Sequence, residues 1–521
     1  MSRRIELYQQ WKYPIIIGLL LFSLVFSKWL LTVVEFLLVL TVLIDNNSRK
    51  RLLKSFTSPL VLSLIALFVL HVVGLLWTQD FDYAGKDLKN KVPLLFFPIL
   101  FYAAGTLDLK TARRLLLMFA GFVLLLPIFT LLYHLLVPNS GTFVAYGQSH
   151  IRFSLLICLA VYFILYFRNQ DNKIFKILSI PAILLLLYFL FRLESFTGYI
   201  VFFLMLFFVP VLLWRKINRI WIRIMALIIP ISISAFALWG FFNVKQNCYP
   251  PIEKIDFSTV DHRSAQGNYY TFDTNMYLAE NGHLLYVYIA EQEMQRAWNQ
   301  RSSHRLDSTT DRECNMLMRY LSSKGLRKDS LGVFSLTEKD IHNIEDGYTN
   351  YLQPELDPYR ERIYRFLWEI SVYRENNDPS GHSLTQRFEY WKAARRIIAA
   401  NPFFGTGTGD ISNAFKDEYE LMHSKLNPEF RLRAHNQFLS ITVAFGLFGL
   451  LVFIYVLLSP FILKKIPDIL LYSGFIFIFL LSLLNEDTLE TQVGVTFFAL
   501  FNSFLLLMFP SNKKESGNEK K

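Results

Sequence analysis

Apolar and polar residues in this chain are sorted into long blocks rather than alternating. Twelve apolar blocks stand at 13–28, 29–45, 59–77, 92–105, 114–136, 151–167, 174–191, 196–214, 220–242, 437–459, 469–484 and 491–509. Each approaches the ~20 residues that carry a helix across a bilayer, and 92–105 and 469–484 are the shortest. One long polar segment, 243–436, separates the ninth block from the tenth. It mixes both charge signs and shows helical periodicity over 283–300, 309–323, 337–352, 358–375 and 384–400. The pattern predicts an all-α fold: a polytopic membrane helix bundle of about 12 transmembrane helices, with one large, mainly helical loop between spans nine and ten. The expected divisions are a bundle of about nine spans over 1–242, the loop domain 243–436, three further spans over 437–510, and a polar tail, 511–521.

Composition agrees: 53% of the 521 residues are hydrophobic and 16% aromatic. A net charge of +11 would suit nucleic acid, but the cations sit in short loops between apolar blocks, so none is expected as a partner. The cationic loops alternate: Arg3, Arg4 and Lys12, then Arg49–Arg51 and Lys54, Lys110 with Arg113 and Arg114, Arg168 with Lys173 and Lys176, Arg215 with Lys216 and Arg219, Lys464 with Lys465, and the tail. Positive charge marks the cytoplasmic side, which places both termini there and 243–436 outside. The first apolar block has no small-residue cleavage site after it and reads as a retained helix. Three cysteines exclude a disulfide framework, leaving Cys248 and Cys314 as a candidate pair on the outer side and Cys158 as a core residue.

The same topology gathers the unusual polar residues on one face. His150 and Arg152 open one span. Arg192, Glu194, Ser195 and Thr197 lie at an outer turn, and Asn485, Glu486, Asp487 and Glu490 precede the last span. Arg431, Arg433, His435 and Asn436 end the polar segment and run into the tenth block. Ionisable groups at membrane depth are rare and often functional. Guanidinium forks suit diphosphate oxygens, and a histidine near neutral pH can take a proton from an attacking hydroxyl. Glu486 could do the same or orient a sugar. The alternative is structural: arginines at a helix start also pair with lipid phosphates or with Glu429.

Two other patterns need both readings. Asn401-Pro402-Phe403-Phe404-Gly405-Thr406-Gly407-Thr408-Gly409-Asp410 is G-x-G-x-G without a preceding strand, so it is not a dinucleotide loop. It is either a phosphate cradle or a tight loop returning the chain to the membrane. Glu35 lies within an apolar block about five residues from its outer end, where snorkelling or pairing suffices, and His71 and His134 read as packed or interfacial groups. No Asp-x-Asp occurs, so no metal or other cofactor is expected, although the carboxylates of 486–490 could hold a cation.

The run Asn401-Pro402-x-x-Gly405-x-Gly407-x-Gly409, followed by Arg433-x-His435-Asn436-x-x-Leu439 and Gly446-Leu447-x-Gly449-Leu450, resembles the O-antigen ligase and O-antigen polymerase superfamily. So does Arg387-x-x-x-Trp391 upstream. The resemblance implies a membrane glycosyltransferase whose large loop is periplasmic, seated in a bacterial inner membrane. It takes a glycan from undecaprenyl diphosphate and gives it to lipid A–core as a ligase, or to another lipid-linked glycan as a polymerase. Transfer by the ligase inverts the anomeric centre without metal. Carried onto this chain, Arg433 holds the leaving diphosphate and His435 assists the acceptor hydroxyl. Arg152, Arg192, Arg387, Arg431, Asn436, His150 and Glu194 are further candidates for binding donor and glycan. The family's Ser-Arg-Thr run becomes Ser195-Phe196-Thr197 here, and Arg192, four residues before Phe196, reaches the same face if the helix is continuous. A flippase or transporter is the rival of another class. It usually needs polar groups near mid-membrane, which these blocks largely lack.

Overall fold

The computed structural model describes residues 2–137, 149–168, 173–193, 195–212, 214, 220–273, 275–306, 311–381 and 383–511. Glu194, the Arg215–Arg219 loop and residues 512–521 of the tail lie outside them. The fold is all-α apart from one small hairpin, Ala279–Glu280 with His283–Leu284. Contacts divide the chain into two compact units.

The first unit comprises Met1–Pro230, Tyr390–His423 and Arg431–Lys521. It holds most of the long apolar helices. Among the described residues of the whole chain, six helices are long and apolar enough to cross a membrane: Pro59–Trp77, Leu109–Tyr133, His150–Arg168, Lys173–Arg192, Arg223–Cys248 and Gln437–Ile462. A seventh is counted if Lys28–Ile44 and Asn46–Ser55, bent by 100°, form one span. Trp11–Phe26, Thr197–Leu212, Ile469–Asn485 and Gln492–Met508 are shorter apolar helices. The block at 92–105 belongs to a helix that already starts at Phe81. Aromatic rings fill the interior, with Phe479 stacked on Phe498 and Phe501 wedged against Phe119 and Phe163. Large apolar side chains also face outward, Trp29 and Ile44 among them, as lipid-facing helices require. Glu35, in the middle of Lys28–Ile44, does not snorkel: it is buried and accepts a hydrogen bond from Thr496 Oγ1 at 2.8 Å.

The Gln437–Ile462 helix is broken at Gly446 (φ 63°, ψ −162°). The backbone groups freed by the break pair with the glycine loop. Thr406 and Gly407 N–H donate to the carbonyls of Val443 and Ala444 (2.9 and 2.8 Å), while Leu447 and Phe448 N–H donate to those of Pro402 and Phe403 (2.8 and 3.2 Å). Unpaired backbone groups in lipid are worth several kcal/mol each, so the loop and the break require one another. Glycine is needed on both sides. A Cβ on Gly446 would meet the Phe403 carbonyl carbon at 2.2 Å, and one on Gly405 the Ala444 carbonyl carbon at 2.4 Å. Gly405 N–H bonds Asn401 O and Gly409 N–H bonds Thr78 Oγ1. With its amides engaged in this way, the loop is the tight return, not a phosphate cradle.

The second unit comprises Ile231–Glu389 and Ser424–Phe430. Its core packs Met294, Trp298, Leu317, Tyr320, Leu321 and Val333. Helices occupy Glu291–Arg301, Asp311–Ser323, Glu338–Glu345 and Pro358–Asn376, and Ser383–Ala400 begins in this unit. The expected helix at 283–300 loses its first turns because Asn281 and Gly282 adopt positive φ (50° and 87°) and fold the hairpin. The expected 337–352 helix stops at Glu345, ahead of Gly347 at φ 94°. Cys248, Cys314 and Cys158 are all free thiols. Cys314 faces Glu291 rather than Cys248.

Candidate functional site

The site forms in the first unit, where the chain between Leu432 and Gln437 crosses the turn between Ile469–Asn485 and Gln492–Ser503. Asn436 caps the Gln437–Ile462 helix: its Oδ1 accepts from Leu439 N–H at 3.1 Å and its Nδ2 donates to Leu484 O at 2.9 Å. Its amide is thus engaged at both ends, a structural duty that fits its place before the helix. His435 precedes it with φ 46°, an unusual conformation for a residue with a Cβ. Three contacts hold it there. Its N–H donates to Asp487 Oδ2 at 3.0 Å, its ring stacks on Tyr390 at 5.6 Å, and its Nδ1 lies 3.5 Å from Glu486 Oε2. Trp391 Nε1 donates to Ala434 O at 3.0 Å and fixes the preceding residue. No described residue bonds His435 Nε2, which leaves that nitrogen for a ligand.

Arg433 reaches a buried carboxylate. Its Nη1 donates to Glu490 Oε2 at 3.0 Å and to the Tyr83 hydroxyl at 2.9 Å. Its Nε and Nη2 have no protein partner among the described residues. Glu490 also accepts from Lys91 Nζ at 3.0 Å and from Gln437 Nε2 at 2.9 Å. Lys91, fully buried, donates to Asp87 Oδ1 at 2.8 Å, and Asp87 Oδ2 stands 4.0 Å from His71 Nε2. Burial works against ionising Glu490, but the charges of Lys91 and Arg433 outweigh it and hold the carboxyl below the usual range. Burial would likewise weaken the Arg433 charge, and Glu490 more than restores it. Asp487 goes the other way: burial, then the neighbouring Glu490 charge, push its carboxyl up. The result is an arginine fixed on one side by a locked anion and open on the other, beside a histidine oriented by a carboxylate.

Not every expected residue joins this cluster. Arg152, on the first turn of His150–Arg168, feels the charge of Glu486, while His150 is exposed at the same helix start. Arg431 pairs with Glu420 on the surface. Arg387 belongs to the second unit. Arg192 ends the Lys173–Arg192 helix and Phe196 starts the next, so the continuous helix that would bring Arg192 to the place of Phe196 does not exist. Ser195 Oγ instead meets Ser154 at 3.2 Å, and Thr197 Oγ1 accepts from Asn485 Nδ2 at 2.6 Å. Tyr83, Asp87, Lys91, Gln437 and Tyr390 are members that sequence reasoning passed over. The signal for two of them was present: Asp87 and Lys91 are spaced i, i+4 just ahead of an apolar block. Among the described residues, no three His, Cys, Asp or Glu side chains converge as a metal site would need.

Membrane-length apolar helices and a half-buried Arg–His–carboxylate cluster define a class: a helical membrane protein with a polar cluster set among its helices. The family model described as O-antigen ligase matches residues 347–454. That stretch holds the glycine loop, Arg433 to Asn436 and the broken helix, and it supports the O-antigen ligase superfamily that the motifs resemble. Members are glycosyltransferase-like ligases and polymerases acting on lipid-linked glycans. No curated protein matches the chain.

Proposed function

We propose that this protein is an O-antigen ligase-like transferase that moves a glycan from undecaprenyl diphosphate to lipid A–core, by inversion and without metal. The observation that carries this reading is the pairing of an arginine with unengaged donors, Arg433, with a carboxylate-oriented imidazole, His435, two residues away. In the step proposed, His435 Nε2 takes the proton of the acceptor hydroxyl. The oxygen forms a bond to the anomeric carbon as the bond to the diphosphate oxygen breaks. Arg433 Nε and Nη2 hold the leaving diphosphate, whose charge is met by a fixed cation rather than by reorganising water. Glu486 accepts from Nδ1–H and keeps Nε2 as the base. Glu490 and Lys91 position Arg433 without touching substrate.

In this reading the remaining apolar helices complete a twelve-span bundle in the inner membrane, with cytoplasmic termini and a periplasmic 243–436 segment. Loop charge and the outward apolar side chains support it.

The test is transfer by purified His435→Ala and Arg433→Ala protein supplied with lipid-linked glycan and lipid A–core. Both variants should insert normally and lose transfer by about a thousandfold. Normal capping of core by either variant overturns the assignment. In cells, deletion should leave bare core with full-length lipid-linked polymer. Core capped with one repeat unit would instead mark a polymerase.

A further inference from the structure

The transfer chemistry leaves a concavity of the first unit unused. It is a groove of about 980 Å³ between the Trp77–Asp80 segment, the Asn401–Thr406 loop and the face of Ile411–Leu421 that carries Asn413 and Asp417. Its size is that of a small-molecule site. Its walls are fixed before anything binds. Asp410 Oδ1 and Oδ2 accept from the N–H groups of Asp80 and Gln79 at 2.9 and 2.8 Å. Gly409 packs so closely that a Cβ there would meet Asp80 O at 2.0 Å.

The lining combines two kinds of surface. Trp77 and Phe404 offer aromatic rings 6.1 Å apart at 64°. Gln79, Asn401, Asn413 and Asp417 are exposed, planar, hydrogen-bonding side chains. No lysine or arginine is among the lining residues, and three are aspartates, so a phosphate or diphosphate is repelled. A hydrocarbon tail would leave the amides and carboxylates unpaired. A sugar chain satisfies both surfaces: its C–H faces pack on the rings, and its neighbouring hydroxyls donate to carboxylates and exchange bonds with amides.

The groove also lies beside the reaction centre. Asp80 caps the Phe81–Ala104 helix by accepting from Tyr83 N–H at 2.9 Å, and the Tyr83 hydroxyl receives Arg433 Nη1. Asp80 on the groove's rim and Tyr83, the arginine's partner, are thus three residues apart on the same first helical turn. We propose that this groove is a subsite for an uncharged glycan chain, holding the sugars next to the one that reacts. The proposal rests on the transfer reading for the identity of its ligand, but the binding itself does not require turnover.

The experiment measures binding of two lipid-free probes to the full-length protein in detergent by saturation-transfer NMR. The probes are the repeat polysaccharide released by mild acid from the lipid-linked donor, which carries no core, and the core oligosaccharide released by mild acid from lipid A–core that carries no polysaccharide. Asn413→Ala/Asp417→Ala, both on an exposed helix face, should weaken one probe by about tenfold, the size expected from losing two hydrogen bonds. The probe affected identifies the donor or the acceptor chain as the occupant. His435→Ala should bind as the wild type does, so binding and catalysis can fail separately. The subsite is refuted if the wild type binds neither probe, or if the double variant binds both as tightly as the wild type.

Discussion

Each of the two units buries a glutamate beneath an arginine and a tyrosine, and the two networks differ in what they leave over. In the second unit Arg319 donates from Nε and Nη2 to Glu280 (2.8 and 2.5 Å), bonds the Tyr364 hydroxyl at 3.0 Å and stacks 3.5 Å above Trp368. Glu280 completes its shell with Asn350 Nδ2 at 2.8 Å. One cation meets one carboxylate, and the guanidinium plane is covered. In the first unit Arg433 uses a single nitrogen, Nη1, while Lys91 supplies a second cation to the same Glu490. The pair that fastens the fold spends Nε and Nη2 on its carboxylate and tyrosine and has its plane covered, whereas the pair that keeps Nε and Nη2 and shares its carboxylate with a second cation can receive an anion. Residue type alone does not distinguish them; the count of engaged donors does.

The largest effect should come from breaking the closed pair. Arg319→Ala leaves Glu280 ionisable, fully buried and without its cation, which destabilises by about 3–5 kcal/mol. The second unit should become protease-sensitive at temperatures where the wild type resists, while the molecules that remain folded keep their turnover. Arg433→Lys should do the reverse. A lysine can still reach Glu490 as a point charge, but it lacks the fork that Nε and Nη2 present. Transfer should fall about a hundredfold, near 2.7 kcal/mol, with unchanged thermal unfolding. Unfolding at lower temperature together with normal turnover in this variant would place Arg433 with Arg319 as a structural residue.

Lysines extend the comparison. Lys91 faces two carboxylates, whereas among the described residues Lys328 Nζ in the second unit donates to Leu284 O alone, at 3.0 Å. Burial, only partly offset by Glu253, lowers its pKa to about 7 from 10.5. Above that folded value and up to the unfolded one, the unfolded chain binds a proton that the fold does not, so stability rises with pH. Below pH 7 both states hold the proton and the penalty is complete. The wild type should therefore gain stability between pH 7 and 10, by at most about 1.4 kcal/mol per pH unit. Lys328→Met should flatten that slope in denaturant titrations read at several pH values.

These contrasts also show what could be read from the chain. The helical membrane character was legible because apolar blocks of span length leave few alternatives. Arg433 and His435 were legible because they stand where a polar segment meets an apolar one. Lys91 carries only its i, i+4 spacing to Asp87 as a signal; otherwise it looks like one of three lysines in a short loop, and its burial against Glu490 is tertiary. The continuity assumed between Arg192 and Phe196 failed at a turn that lacks glycine or proline. The hairpin at Asn281-Gly282 carried its signal openly, but the helical periodicity downstream hid it. In the sequence the glycine loop and Gly446 stand as separate motifs. That they are two halves of one backbone pairing follows from a helix break, and a glycine in an apolar run announces that break only weakly.

Arg431 provides the smallest and most discriminating test of the donor count. It stands two residues from Arg433 and carries the same charge, so a site that worked by local positive potential would need both. Its guanidinium pairs with Glu420; the arginine side chain is 16% exposed and the glutamate's 68%, so water screens the pair from the glutamate's side and holds its contribution near the about 0–1 kcal/mol of surface pairs. Arg431→Ala should change transfer by less than about fivefold, with an effect that shrinks further at high salt. A loss as large as that of Arg433→Lys would mean that net charge at the membrane face, rather than the unengaged edge of one guanidinium, holds the leaving group.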